Sequence, residues 1–326
     1  MSNQSSAEAW KGRITPEIET KIKELEKIEP AYQVKILVLF GIWLGLGAVA
    51  VYVPYLWVRI PCWIIMGFAL HGLGVFMHDG AHNALFGGPI LDRVVGFLCG
   101  VPVLFSCSNY RATHILHHRY ENSPKDPDNL EANMPNRVMR WFVFYGWFVV
   151  GMPMYVSLLV LVGPFRAETW RERFACVLET ALLGGIYFGV YLLVTRYGLW
   201  DVVFNGWLMG LAAAIIVANV RGLAEHTILH HTDPPNQLKS TRAIRTNAFV
   251  RFFFNNQNYH LEHHMYPMVP FHRLPELHAR IRDELPPAYP SLWAAYREIV
   301  PALLRQARDP DYYVVRELPA APGAAA

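Results

Sequence analysis

Four apolar runs of membrane-crossing length limit what this chain can fold into more than any other feature. Two lie back to back at about 34–53 and 55–77, divided by Pro54, and two more at about 174–195 and 199–219. A helix needs roughly 20 apolar residues to cross the hydrocarbon of a bilayer, and each run meets that length. With 53% hydrophobic residues and a mean hydropathy of +0.19, the chain is too apolar for an ordinary soluble enzyme.

Two further apolar stretches do not fit as spans. The run at 94–106 is short and interrupted by Gly100 and Pro102, so it reads as interfacial or re-entrant. The run at 141–163 carries Gly146, Gly151 and Pro153 and leads into the charged link Arg166, Glu168, Arg171, Glu172, Arg173. Counting it as a span would put Arg221 onward on the opposite side from His78, so it is expected to be an interfacial hairpin. The Lys- and Arg-rich N-terminal segment, the 166–173 link and everything beyond 220 then share one side, which the positive-inside rule makes cytosolic. The opposite side keeps only Arg59 and Arg196, near its short turns.

Residues 14–29, ITPEIETKIKELEKIE, predict a helix in water or at the lipid surface, capped by Thr15 with Pro16 in its first turn. No signal-peptide pattern opens the chain, and the N-terminus is expected to stay in the cytosol. Disorder is expected for the tail PAAPGAAA from Pro319. The resulting organisation is an N-terminal segment over 1–33, a membrane domain over 34–280 whose cap begins at 220, and a C-terminal segment over 281–326. Cys62, Cys99, Cys107 and Cys176 form no CxxC pair, and the net charge of +3 is dispersed. Neither a disulfide scaffold nor a nucleic-acid partner is indicated.

The chemistry sits in the histidines. Of 14, eight fall in three tight groups: His78 and His82 in HDGAH, His114, His117 and His118 in HILHH, and His260, His263 and His264 in HLEHH. Spacings of three and four put imidazoles on one face of a helix. A single such pair is more often ordinary surface or core histidine than ligand. Three groups, all meeting the same membrane side, are not a chance pattern. Imidazole is the commonest transition-metal ligand, and eight nitrogens exceed what one four- to six-coordinate ion uses, so two metals are implied. A ninth ligand is expected at the end of the fourth span, where His226 is preferred to His230 and His231. His71 reads as packed or tunnel-lining, and His272 and His278 as surface residues.

Ligating histidines need the second ring nitrogen held by an acceptor. Candidates are Asp79 and Glu262 inside groups, Glu225 beside His226, and Glu121, Asp126 and Asp128 after the second group. Tyr110 and Arg111 could pair with these acids or with a substrate head group.

HDGAH, HILHH and HLEHH resemble the three histidine boxes of the membrane fatty acid desaturases. RGLAEH and NYHLEHHMYP followed by PFHRLPELH are similar to the acyl-lipid branch, and the resemblance covers about residues 60–280. It implies two non-haem irons on the cytosolic face and an acyl chain in a tunnel beneath them. The implied metal ligands are His78, His82, His114, His117, His118, His226, His260, His263 and His264. Asn219 or Asn256 could add a ligand through a water. O₂ would be co-substrate, since zinc has no redox chemistry with which to attack an unactivated C–H bond. The implied fold is all-α, with four transmembrane helices, interfacial helices and a cytosolic helical cap around a histidine-rich di-metal site.

Three residues separate the histidines of the first box, which favours a lipid-linked or other acyl donor over acyl-CoA. The third box opens with His260 rather than glutamine, and no HPGG motif of a fused cytochrome b5 is present. Electrons would come from a separate ferredoxin, rubredoxin or cytochrome b5 type partner. The alternative with the same irons is a hydroxylase or ketolase acting on a carotenoid, alkane or other lipid. A zinc hydrolase would need only three protein ligands per ion, and a metal transporter would place ligands near mid-bilayer.

Overall fold

The computed structural model describes residues 16–129, 151–230, 236–316 and 318. Among these every regular element is a helix, and the pairing of extended backbone is limited to two isolated bridges, Leu229 with Val314 and Ile244 with Tyr289. Helix α1 covers Pro16–Leu25, α2 Val34–Tyr52, α3 Leu56–Ala81, α4 Pro89–Gly100 and α5 Cys107–Tyr120. After the undescribed 130–150, α6 is Met152–Arg166, α7 Trp170–Tyr197 and α8 Trp200–His226. The cap carries α9 Gln237–Ser240, α10 Ala248–Phe253, α11 His260–Met265, α12 Leu274–Ile281 and α13 Leu292–Gln306.

Helices α2 (from Pro30), α3, α7 and α8 are the four long and apolar enough to cross a membrane, as the sequence predicts. Their outer faces are clad in exposed apolar side chains such as Leu37, Trp57, Phe188 and Leu193, as expected for contact with lipid. Between spans the backbones approach through small residues. A Cβ on Gly67 of α3 would lie 2.5 Å from the Cβ of Ala213 on α8, and one on Gly47 of α2 would lie 2.8 Å from the Gly206 carbonyl. Without water to drive burial, such close approach gives membrane helices their dispersion contact.

Backbone groups released at helix breaks find side-chain partners, as an apolar medium requires. A π-turn interrupts α8 at Phe204–Leu208. There Trp63 Nε1 donates to the Asn205 carbonyl at 3.2 Å, and Trp43 Nε1 to that of Gly206 at 3.0 Å. Helices α4 and α5 meet at 101°, turning through Leu104 at φ 69°. At that corner Trp207 Nε1 donates to the Pro102 carbonyl at 2.7 Å, and the Tyr187 hydroxyl to that of Val101. Helix α4 starts soon after α3 ends, and α5 returns its histidines to the same end of the bundle, so the pair is re-entrant. This is the reading the short 94–106 run suggests. The hairpin expected at 141–163 lies partly outside the described residues; its second half is α6, packed on α5 where Gly163 leaves room for Asn109.

Helix α1 keeps most of its described side chains exposed but is seated by one face: Ile22 and Leu25 are buried against Leu238, Leu261, Leu274, Leu277 and Ile281 of the cap. Its few apolar residues share one face, enough to seat it on the segment bearing the third histidine group. The tail from Pro319 falls outside the described residues.

Candidate metal centre

Two helix ends, a re-entrant helix and a short cap helix meet at one end of the bundle. Helix α3 delivers His78 and His82, α5 delivers His114, His117 and His118, α8 ends on His226, and α11 contributes His260, His263 and His264. Because α3 and α8 run in the same direction with one span between them in sequence, their C-terminal ends share a side.

The donor nitrogens gather at two adjacent points. One ring-nitrogen each from His78, His82, His114, His118 and His263 lies within 4.8 Å of every other, and the same holds for His117, His226 and His264. His260 joins the second set, its Nε2 lying 2.9 Å from His226 Nε2 and 3.1 Å from His264 Nε2. His118 and His264 stack with ring centroids 4.1 Å apart and form the wall between the sets.

Most of these rings are turned by an acceptor on the outward nitrogen. Asp79 Oδ1 lies 2.9 Å from His78 Nδ1, and Asp126 Oδ2 lies 2.9 Å from His117 Nδ1. Glu121 lies against two rings, with Oε2 2.9 Å from His264 Nδ1 and Oε1 3.2 Å from His226 Nδ1, and the Ser240 carbonyl lies at hydrogen-bond distance, 3.2 Å, from that same His226 nitrogen. The Tyr110 hydroxyl lies 3.1 Å from His114 Nδ1. With Nδ1 so engaged, Nε2 faces inward. Burial works to lower His117, but the neighbouring Asp126 carboxylate overrides it and pushes that imidazole up to about 10. Burial likewise works to raise Glu121, yet His264 and His226 hold it well below the usual carboxylate range.

The residues fit a pair of transition-metal ions. His78 Nε2, His82 Nε2 and His263 Nε2 are buried without a hydrogen-bond partner, aimed into the first set. In the second set, ring nitrogens face one another at hydrogen-bond distance. Buried polar atoms in proteins are nearly always satisfied, and neutral imidazoles converging on a point are satisfied by a cation.

Of the other polar residues singled out from sequence, Asp128 reaches Tyr155 at 3.2 Å rather than a histidine, and Glu262 pairs with His278. Glu225 lies close to His260 and is bound to Arg221, with Arg221 Nε 2.6 Å from its Oε1. Asn219 is buried two turns before His226, and Asn256 donates to the Phe271 carbonyl. Arg111 donates to the Ala81 carbonyl and lies 3.9 Å from Glu172, joining α5 to the end of α3. His71 is packed edge-on against Phe254. His272 stacks on Tyr32 and His278 is half-buried against Glu262, so neither is the free surface residue expected. His230 is exposed, and His231 lies outside the described residues.

Three supporting residues escape sequence reasoning. Gln257 Nε2 donates to Asp79 Oδ1 at 3.2 Å, tying the loop before the third group to the acceptor behind the first. Asp92 accepts from the amides of Leu85 and Phe86 and fixes the turn after His82. Glu179, buried within α7, accepts from the Ser108 amide at 2.9 Å and from the hydroxyls of Ser106 and Ser108 at 2.8 and 2.5 Å. It thereby anchors the first turn of α5, where Ser106 is the N-cap. An acidic residue inside an apolar run is the one signal that marks Glu179 in advance.

Four spans, a re-entrant helix pair and a cap that aim nine imidazoles at two neighbouring points define a membrane-embedded polyhistidine protein. Residues 54–296 match the family model described as fatty acid desaturase, and the chain belongs to that family. It is 24% identical to a sphingolipid delta(4)-desaturase of Drosophila melanogaster, over 68% of this chain and 65% of that one, so it spans slightly under two thirds of that relative. It is 26% identical to the human sphingolipid delta(4)-desaturase/C4-monooxygenase, covering 78% of this chain and 75% of the relative. To the sn-1 oleoyl-lipid 12-desaturase of Picosynechococcus it is 24% identical, over 69% of each chain.

Proposed function

We propose that this chain is an O₂-dependent di-iron oxidoreductase that introduces a double bond into the hydrocarbon chain of a lipid. The observation that carries the reading is the convergence of nine histidines from four distant segments at two points on one end of a membrane bundle. Ligands would be His78, His82, His114, His118 and His263 for one ion and His117, His226, His260 and His264 for the other. Family membership and relatives that act on sphingolipid and acyl-lipid substrates support a lipid rather than a soluble substrate.

Iron, when bound, supplies the oxidant that O₂ yields on reduction and that zinc does not. The chain's own residues hold and aim. Asp79, Asp126, Glu121 and Tyr110 keep Nδ1 engaged so that Nε2 faces the ions, and the protein fixes where a methylene can lie. Two hydrogens leave adjacent carbons as O₂ becomes two waters. The two further electrons this balance needs would come one at a time from a separate donor of ferredoxin, rubredoxin or cytochrome b5 type, and the two further protons from water. The lysines and arginines of the N-terminal segment and of the 166–173 link support a cytosolic location for the site.

A second reading has a specific observation behind it: the human relative is named both desaturase and C4-monooxygenase. Mass spectrometry of lipids from a host expressing the chain decides between them. Desaturation gives a product lighter by two hydrogens; a product heavier by one oxygen establishes hydroxylation instead. His117→Ala and His263→Ala should each abolish the product and lower iron content, and full iron and activity in either variant would refute the ligand assignment.

A further inference from the structure

The two sets of imidazoles are unequal, five against four, and a carboxylate lies beside one ring of the smaller set, that of His260. Glu225 is the residue before His226 at the end of α8 and is 8% exposed. Its two oxygens have different partners. Oε1 accepts from Arg221 Nε at 2.6 Å, while Oε2 lies 3.4 Å from His260 Nε2.

That nitrogen is the inward one. His260 Nε2 is the same atom that lies 2.9 Å from His226 Nε2 and 3.1 Å from His264 Nε2. Asp79, Asp126 and Glu121 all approach Nδ1, on the outer side of their rings. Glu225 is the one acid among them that approaches an imidazole from the side on which the donors converge.

We propose that Glu225 is a direct metal ligand through Oε2, the fifth protein donor of the second subsite. This rests on the di-iron reading above. The two ions are then held by unlike sets: five neutral imidazoles at one, four imidazoles and an anionic oxygen at the other. A cation among these buried nitrogens and the carboxylate oxygen would take a lone pair from each of them at once. Arg221 is a positioning residue. By engaging Oε1 it fixes the carboxylate's rotation and leaves Oε2 for the ion. A hard anionic donor also favours the more oxidised state of its ion, so the two subsites differ in electronic character as well as in donor count.

The test compares the full-length protein with Glu225→Gln, which keeps the shape and removes the charge, and with Arg221→Gln, which keeps the carboxylate and removes its tether. Each is loaded anaerobically with ⁵⁷Fe(II), then assayed for iron per chain and by Mössbauer spectroscopy. Circular dichroism and thermal melts of the metal-free forms report the fold. The unaltered protein is expected to hold two irons with two distinct quadrupole doublets. Glu225→Gln should weaken one ion beyond the roughly 10–100-fold that losing an outer partner costs and change one doublet only. Arg221→Gln should broaden or shift that same doublet with both irons retained. Two irons and unchanged doublets in Glu225→Gln would overturn the assignment. So would loss of both irons together with the metal-free fold, which marks a purely structural residue. An unaltered protein that binds fewer than two irons would instead defeat the di-iron reading itself.

Discussion

Glu121 Oε2 lies 2.9 Å from His264 Nδ1, in a pair with no solvent exposure on either side. The same carboxylate reaches His226 on another helix and accepts from the Ser240 hydroxyl at 2.8 Å. One acid at the end of α5 thus lies against two rings that belong to α8 and α11, sharing the His226 ring with the Ser240 carbonyl.

Replacing Glu121 by Gln should therefore act on the second subsite and spare the first. The amide can hold one ring at most as acceptor and carries no charge. Outer-sphere partners of this kind are worth about 10–100-fold in metal affinity. Competition against a chelator should show one of two irons lost at lower chelator concentration than in the unaltered protein. Parallel loss of both irons would show that Glu121 supports the whole bundle end instead.

The His117–Asp126 pair predicts a pH dependence in the metal-free chain. His117 is pushed up to about 10 in the fold, above the ordinary imidazole value of about 6.5. A group raised on folding contributes stability that is fully present below its unfolded value and lost as pH climbs through its folded one. The contribution should therefore hold below about pH 6.5 and fade toward about 10. Thermal melts of metal-free protein should fall across that window, and Asp126→Asn should flatten the slope. Metal binding at His117 displaces the same proton, so calorimetry in buffers of different ionisation enthalpy should register its release.

Glu179→Ala should loosen α5 without touching a histidine. Its loss leaves the Ser108 amide and the hydroxyls of Ser106 and Ser108 without their acceptor in a buried setting. Leaving each such donor unpaired costs about 1–3 kcal/mol. The expected outcome is a lower melting temperature and lower iron content at both subsites, since α5 supplies ligands to each. Full stability in the variant would mean that water reaches this site and replaces the carboxylate.

The sequence made the histidines legible for a physical reason: their spacings of three and four are local, and helix geometry turns local spacing directly into a shared face. The partners that aim them are not local. Glu121 meets His264 across 143 residues by numbering, Gln257 meets Asp79 across 178, and Glu179 meets Ser108 across 71. Nothing in the periodicity of either segment encodes such pairings. His278 illustrates the same limit, because a polar, helical setting reads as solvent-facing until the cap folds it onto Glu262. Helix α1 was legible as a helix but not as a packed one, since only Ile22 and Leu25 hold it down among the described side chains of the helix.

The small residues between spans yield a prediction with its own control. A methyl on Gly67 would lie 2.5 Å from the Ala213 Cβ and 2.9 Å from the Ala213 carbonyl carbon, so the backbones of α3 and α8 would have to separate. A methyl on Gly184 of α7 would meet nothing within 4 Å. Overpacking of this kind costs about 1–3 kcal/mol, whereas Gly→Ala at an unobstructed helix position gains up to about 1 kcal/mol in propensity. Gly67→Ala should lower the melting temperature, while Gly184→Ala leaves it unchanged or raises it. The consequence should extend to the metal centre, because His78 and His82 ride on α3 and His226 on α8. Iron content in Gly67→Ala should fall even though the substitution lies three turns from His78. Equal melting temperatures and equal iron in the two variants would show that α3 and α8 do not press together as tightly as the Gly67–Ala213 contact implies.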